Sequence, residues 1–382
     1  VGVALTRHLA VENRVTVIDQ NPHLVENIIN IYDVMGVCGN GASYDVQKEA
    51  DVEQADLLIA TTSSDEINIL TCLVAKKMGV QHTIARIRSP EYGRQLRFMR
   101  SELGLSMAIN PEAATAREIA RVLRFPTAMK LESFSKGRLE LVEYRVAEHT
   151  ALDGTRLSEL YRNFKVRVLI CAVARQGETI IPSGDFTLRA GDKIYLTAAP
   201  RELEKFFRLL GVFRARASSV MIVGASKMCY YLASELLEMG MSVKIIDQNE
   251  QRCVEMSEKL PRALVIVGDG TDSELLSEEG ISQTDAFVAI TGLDEANILM
   301  ALSAAKQSGD CCKVVAKINR KSLLELVSTE SLIDSVVSTG AVTTELILQY
   351  IRAMKNASAS KVKTLHRIVD EKVEALEFSV TP

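Results

Sequence analysis

Two four-residue runs in this sequence are identical, Ile18-Asp19-Gln20-Asn21 and Ile246-Asp247-Gln248-Asn249, and each sets a carboxylate directly after β-branched residues. A carboxylate at the end of such a strand accepts hydrogen bonds from a vicinal diol such as ribose and repels a phosphate carried on it. Ahead of the second run stands Gly224-Ala225-Ser226-Lys227-Met228-Cys229, where a strand-like stretch gives way to a helix-like one. A glycine-led turn at that junction lets the backbone approach an anion, which the first N–H groups of the helix then hold. Only the first glycine of the G-x-G-x-x-G pattern is kept. Ser226 puts a Cβ where backbone should approach the anion, and Cys229 crowds the close helix–strand contact, so anion binding there is expected to be weakened, with Lys227 a partial substitute. Gly2 fits the third glycine of the same pattern ahead of Asp19.

Further polar residues follow at the ends of the next strand-like runs. Asn40 and Asp269 end the third, near where an adenine would lie. Thr62, Ser63 and Thr291 end the fourth, at the carboxyl edge where open α/β sheets bind ligands. Arg86 ends the fifth, as a partner for phosphate or carboxylate or as one half of an exposed ion pair, and Lys317 stands one position along in the second copy. Asp65 and Glu66 are adequately read as acids in the first turn of a helix behind Ser63 or Ser64. Asn68 and Asn297 fit a helix interior less well, because Asn competes with the backbone for hydrogen bonds. The search for catalysis ends without an assignment. Tyr44-x-x-x-Lys48 has the spacing of a dehydrogenase pair but comes too early in the fold. No Gly-x-Ser-x-Gly or P-loop is present, and no His has an acid partner in both copies. The five histidines make no metal spacing, and the seven cysteines form no Cys-x-x-Cys. Adjacent Cys311 and Cys312 read as buried thiols at a strand edge. No catalytic and no metal-ligating residue is assigned, which points to sensing.

The elements that must position these residues come in two copies. Residues 39–70 match 268–299 without a gap at 12 of 32 positions, and Asp65-Glu66-x-Asn68-Ile69-Leu70 recurs as Asp294-Glu295-x-Asn297-Ile298-Leu299. Within each copy, short β-branched runs alternate with amphipathic stretches of helix length, the βαβ pattern of a parallel sheet. Strands are expected near 220–223, 243–246, 263–267, 286–290, 314–318 and 335–337, with counterparts at 15–18, 34–37, 57–60, 83–87 and 107–109. The first copy lacks a counterpart of the opening strand. The chain begins Val1-Gly2 and enters helical periodicity at once, so it reads as a fragment. Asn110-Pro111-Glu112 opens a helix as cap, proline and first-turn acid. Between the copies, alternation at 139–146 and 166–173 with turns at Asp153-Gly154 and Gly191-Asp192 suggests a small β-rich lobe, closed by a helix over 200–210. Residues 373–382 resemble 139–148, the start of a second lobe.

The fold class expected is therefore α/β: two Rossmann-like parallel-sheet nucleotide-binding domains, at 1–125 and 215–355, followed by small α+β lobes at 126–214 and 356–382, the second truncated. Composition agrees with a folded chain. The 382 residues are 47% hydrophobic and 25% charged, with 45 basic and 49 acidic residues giving a net charge of −4. Disorder is excluded as the main state. The balance offers no footprint for nucleic acid, and no stretch approaches the roughly 20 apolar residues of a membrane-spanning helix, so direct membrane insertion is not expected.

The runs Gly39-Asn40-Gly41, Asp56 to Asn68 and Ala85-Arg86-Ile87-Arg88-Ser89-Pro90-Glu91-Tyr92 resemble the domain that regulates conductance of potassium, the RCK or KTN family, and the tandem order of domain and lobe strengthens the likeness. That resemblance implies a ring-forming homo-oligomer of RCK domains, cytoplasmic and peripheral at the inner face of the plasma membrane. It implies docking on a membrane potassium-translocating subunit of the TrkH type and response to NAD(H), with ATP or ADP as further ligands. It carries Gly2, Asp19, Asn40, Thr62, Ser63 and Arg86 over as a first nucleotide site and Gly224, Asp247, Asp269 and Thr291 as a second. Glu112 matches an acid that contacts cations in some relatives. Apolar surface around 96–103 and 323–333 is where RCK–RCK pairing is expected. An NAD-dependent oxidoreductase with tandem Rossmann domains, or the soluble regulatory part of another RCK-bearing antiporter or channel, stand as alternatives.

Overall fold

The computed structural model describes residues 2–92, 103–124, 130–134, 138–211, 217–309, 312–327, 333–356, 362–368 and 373–378. The first α/β unit runs α1 (Gly2–Leu9), β1 (Thr16–Asp19), α2 (Pro22–Ile31), β2 (Met35–Cys38), α3 (Tyr44–Glu49), β3 (Leu57–Ala60), α4 (Asp65–Lys77), β4 (His82–Arg86), β5 (Met107–Ile109) and α5 (Pro111–Arg124). The lobe follows as β6 (Lys130–Phe134), β7 (Leu139–Arg145), α6 (Leu160–Phe164), β8 (Leu169–Arg175), β9 (Glu178–Ile180), β10 (Lys193–Ala198) and α7 (Pro200–Leu209). The second unit opens with β11 (Ser219–Val223), α8 (Lys227–Glu238), β12 (Ser242–Asp247), α9 (Glu250–Lys259), β13 (Leu264–Val267) and α10 (Ser273–Glu278). It continues through β14 (Ala286–Ala289), α11 (Asp294–Ser308), β15 (Lys313–Lys317), α12 (Lys321–Val327), β16 (Ser335–Val337) and α13 (Thr339–Asn356), and a hairpin of β17 (Val362–Ile368) and β18 (Val373–Phe378) ends the description.

In the second unit six parallel strands lie in the order β13-β12-β11-β14-β15-β16. Helices cover both faces, so the central strands read as unbroken apolar runs, and Val220, Ile222, Phe287 and Val288 are buried. Strand order reverses between β11 and β14, and a crevice opens there beyond the carboxyl ends of the strands. The first unit has the same plan in two pieces, β1-β2 and β3-β4-β5, with no strand between them among the described residues. Each strand expected from the sequence in either copy is present within a residue or two at its ends. The expected cap of α5 is also formed, Asn110 Oδ1 accepting from Ala113 N at 2.8 Å.

The lobe is a five-stranded antiparallel sheet in the order β6-β7-β10-β8-β9. One face packs on α7 through Tyr144, Phe206 and Phe207, whose rings meet edge-on at 5.1 and 5.6 Å. Buried Asp192 takes both forks of Arg175 at 2.7 Å, and that guanidinium lies 4.7 Å from the Phe186 ring. On the other face Leu141, Ala172 and Tyr195 meet Val373 and Ala375 of β18. The lobe limits expected at 125/126 and 214/215 fall outside the described residues.

The two α/β units are interlocked by their last helices. Helix α5 leaves the first unit and lays Ala116, Ile119, Ala120 and Leu123 on α8 and the sheet of the second. Helix α13 does the reverse, packing Ile347 and Ile351 against Leu5, Ile84 and Ile109, while His82 Nδ1 and the Tyr350 hydroxyl meet at 3.1 Å. Burying one such side chain contributes about 1.5–3 kcal/mol, so the exchange of helices holds the units together by many such contacts. Neither unit can rearrange at this seam without disturbing the other. The expected pairing surface at 96–103 lies almost wholly outside the described residues, as do 328–332 of the other. Of the described part, Val327 and Ile333 are buried in the second unit's own core and Leu326 is exposed. Cys311 also lies outside the described residues. Cys312 is buried, and burial pushes its thiol up to about 11.

Candidate functional site

At the second crevice Gly224 ends β11 with φ +112°, a conformation that L side chains rarely adopt, and a Cβ there would stand 3.0 Å from Thr291 N. The glycine is thus required by the backbone and by the approach of the β14 end. Ser226, expected to obstruct an anion, caps α8: its Oγ accepts from Cys229 N at 3.4 Å. Cys229 is fully buried in the hydrophobic core beneath the helix, and burial pushes its thiol pKa up. Lys227 begins the helix, exposed.

Both strand-end carboxylates stand where the repeat puts them. Asp19 Oδ1 accepts from Asn21 N at 2.9 Å, which turns the chain into α2, and Asp247 Oδ1 does the same for Asn249 N at 2.8 Å. Asp247 has a second bond: its Oδ2 accepts from Ala225 N at 2.6 Å, an N–H of the glycine-led turn. One strand further, Asn40 Oδ1 accepts from Ala42 N, and Asp269 Oδ1 accepts from both the N–H and the hydroxyl of Thr271. These bonds hold the Asp269 carboxyl below its ordinary range.

The two mid-helix asparagines are explained by what they tie together. Asn68 is fully buried; its Oδ1 accepts from Thr62 N at 2.7 Å and Thr62 Oγ1 at 2.8 Å, and its Nδ2 donates to the carbonyls of Thr62 and Arg86 at 3.2 and 2.8 Å. Asn297 repeats every bond, with Thr291 N and Oγ1 at 2.9 and 2.7 Å and the carbonyls of Thr291 and Lys317 at 3.3 and 2.9 Å. Each amide is a staple joining the ends of two neighbouring strands, and it spends the hydroxyl protons of Thr62 and Thr291. The bond to a carbonyl also fixes Arg86 and Lys317 as true equivalents. Sequence spacing held a signal for this, since Thr and Asn recur six residues apart in both copies. The first-turn acids act the same way on the following loop: Asp65 Oδ2 accepts from Arg88 N and Ser89 N, and Asp294 Oδ2 from Asn319 N and Arg320 N. Ser63 stays exposed, its carbonyl accepting from the Arg88 guanidinium. Tyr44, of the dehydrogenase-like spacing, is exposed on α3.

Gly2 lies against the end of β3, where a Cβ would stand 3.3 Å from Thr61 Oγ1. Beside α1, between the first unit and the second, is a cavity of about 490 Å3. Its wall includes Ala4 and Arg7 of α1, Arg86, Glu112 at the start of α5, and Asn319 and Gly340 from the second unit. Arg86 Nε and Glu112 Oε2 are both buried here without a hydrogen-bond partner. Burial first, and then the neighbouring Arg88, lower the Arg86 pKa, while burial lowers that of Lys317, which feels Asp294 and Glu112. Arg7 had no place in the sequence reading, because only the meeting of the two units puts it on a cavity wall. In all, the structure puts Gly2, Asp19, Asn40, Thr62, Ser63 and Arg86 along the carboxyl edge of the first unit. Gly224, Asp247, Asp269 and Thr291 lie along that of the second.

Comparison with known proteins bears on the whole chain. Residues 1–111 and 220–339 match the TrkA-N domain model, and residues 141–211 match the TrkA-C domain model. Over 364 residues the chain is 31% identical to the Trk system potassium uptake protein TrkA homolog of Archaeoglobus fulgidus, a match covering 95% of this chain and 81% of that protein. It is 32% identical over 389 residues to Trk system potassium uptake protein trkA homolog 1 of Methanosarcina mazei, covering 100% of this chain and 93% of that one. Among solved structures, the GsuK RCK domain superposes with a TM-score of 0.69 at 20% identity, over 95% of this chain and 77% of that chain. The GsuK channel bound to NAD superposes with a TM-score of 0.68 at 20% identity, over 96% of this chain and 64% of that chain. Likeness at that identity speaks for the fold, which is the tandem α/β and lobe architecture derived above. With domain models matching most of its length and relatives above 30% identity from end to end, the chain belongs to the TrkA family of Trk system potassium uptake proteins.

Proposed function

We propose that this chain is a nucleotide-sensing regulatory subunit of a potassium uptake system and carries out no chemistry of its own. NAD(H), or ATP or ADP, occupies the crevice of the first unit. The pyrophosphate lies at the start of α1 beside Gly2, the ribose hydroxyls on Asp19, the adenine near Asn40 and the far phosphate toward Thr62, Ser63 and Arg86. Gly224, Asp247, Asp269 and Thr291 form the equivalent, degenerate crevice of the second unit. A ring of such chains docks at the cytoplasmic face of the membrane on a potassium-translocating subunit of the TrkH type.

The observation that carries this reading is the exchange of α5 and α13 beside the crevices. A ligand shifts a conformational equilibrium only by its differential affinity for the two states, and moving a population from 1:99 to 99:1 takes about 5.5 kcal/mol. A ligand at the start of α1 touches the helix on which α13 rests, so its binding energy reaches the seam between the units. Copies in a ring add their contributions. Support for the potassium system comes from the names of the relatives, and for the ligand class from the GsuK channel bound to NAD.

Equilibrium titration of the full-length protein with NADH, NAD, ATP and ADP tests the site. Asp19→Ala is expected to weaken binding at least tenfold, which is about 1.4 kcal/mol, while the protein stays folded. Unchanged affinity would remove the site assignment. Steady oxidation of NADH with small carbonyl compounds would replace the regulatory reading by an oxidoreductase.

A further inference from the structure

The two units are related by the repeat, so the seam between them has two faces that ought to match, and they do not. Helices α1 and α8 are equivalents: aligning their buried pairs, Leu5-Thr6 and Leu232-Ala233, sets Ala4 against Tyr231. Arg88 and Asn319 are equivalents because the carboxylates of Asp65 and Asp294 grip their N–H groups alike. On the first face Ala4 and Asn319 line the open cavity of about 490 Å3 together with Arg7, Arg86 and Glu112. On the second face Tyr231 reaches across to the first unit. Its hydroxyl donates to the Arg88 carbonyl at 3.1 Å and accepts from Asn110 Nδ2 at 2.8 Å. Asn110 in turn donates to that same carbonyl at 3.2 Å. A phenol ring thus fills, and polar groups of both units close over, the place where the first face is hollow.

Two more bonds close the second crevice from within. Asp247 Oδ2 takes the Ala225 N–H, and Ser226 Oγ takes the Cys229 N–H. These are N–H groups of the turn and first helical turn that a phosphate would otherwise receive. On the first face Arg86 and Glu112 are among the residues that line the cavity.

We propose that the two faces of the seam differ in kind: the first is open to nucleotide, and the second is closed by the chain's own Tyr231, so that each chain takes up one nucleotide. This rests on the nucleotide reading above and adds its stoichiometry and its side. Nucleotide then enters the seam from one side only, and the interlocked helices α5 and α13 pass its effect to both units.

Calorimetry with NADH on the full-length protein gives the first test. One NADH per chain, abolished by Asp19→Ala, supports the proposal; two per chain, or one per chain surviving in Asp19→Ala, overturns it. No binding of any nucleotide overturns both this proposal and the function it rests on. A second arm reads the plug without nucleotide. Tyr231→Ala is expected to melt several degrees lower than the parent and to recover on adding millimolar 4-methylphenol, with toluene restoring less because it lacks the hydroxyl for Arg88 and Asn110. The parent and Tyr231→Phe, whose ring is in place, are expected not to respond. Absence of recovery in folded Tyr231→Ala overturns the assignment of Tyr231 as the plug.

Discussion

Replacing Asn297 by Ala is expected to lower the stability of the second unit by about 3 kcal/mol, measured by denaturant unfolding. The side chain is fully buried and makes four hydrogen bonds to two strand ends. An ordinary hydrogen bond contributes only about 0.5–1.5 kcal/mol net, but removing one partner leaves the other buried and unpaired, which costs about 1–3 kcal/mol. Here the orphaned groups include the Thr291 N–H and the Lys317 carbonyl, in a crevice wall with no room to rearrange. Asn297→Asp is expected to do no better. It keeps the acceptor for Thr291 but loses the donor to both carbonyls and buries a charge. If either variant unfolds within about 0.5 kcal/mol of the parent, the staple is not holding the strand ends.

Gly224→Ala is expected to destabilise by about 2–3 kcal/mol, and Gly79→Ala by clearly less. Both glycines have φ near +110°, so both substitutions place an L residue in strained backbone. Around Gly79 a new Cβ meets nothing within 4 Å, whereas at Gly224 it would stand 3.0 Å from Thr291 N and 3.1 Å from the Ile290 carbonyl. Backbone atoms just past the end of a central strand cannot move aside as a flexible side chain does. The difference between the two variants therefore isolates the close approach of β11 and β14 at the crevice. Equal losses would mean that strain alone sets the need for glycine there.

Much of this architecture is legible in the residues because parallel strands buried on both faces must be apolar along their length. Runs such as Val-Met-Ile-Val at 220–223 and Ala-Phe-Val-Ala at 286–289 have few other uses. Duplication did the rest, since a pattern seen twice at the same spacing is hard to misread, and it placed Asp19 and Asp247 at their strand ends. The turn holds one role that its glycine pattern does not announce: Ser226, read as an obstruction to an anion through its Cβ, also caps α8, a role that Ser takes in many sequences without any crevice nearby.

What the sequence could not yield depends on which parts of the two units meet. Nothing in Ala4 or Tyr231 taken singly indicates that one leaves a cavity and the other fills its counterpart, because that follows from the exchange of α5 and α13. Arg7 is invisible for the same reason. Asn68 and Asn297 stood out as poor helix residues, and only the positions of the carbonyls of Arg86 and Lys317, some twenty residues later, show what they bind.

The most direct test of the account is potassium flux measured with the full-length protein assembled on its membrane partner in vesicles, while NADH is titrated and its absorbance followed in the same sample. The account predicts that NADH changes the flux severalfold without being consumed, and that Asp19→Ala raises the concentration for half effect at least tenfold. Flux that ignores NADH, or NADH that is steadily oxidised, would contradict it.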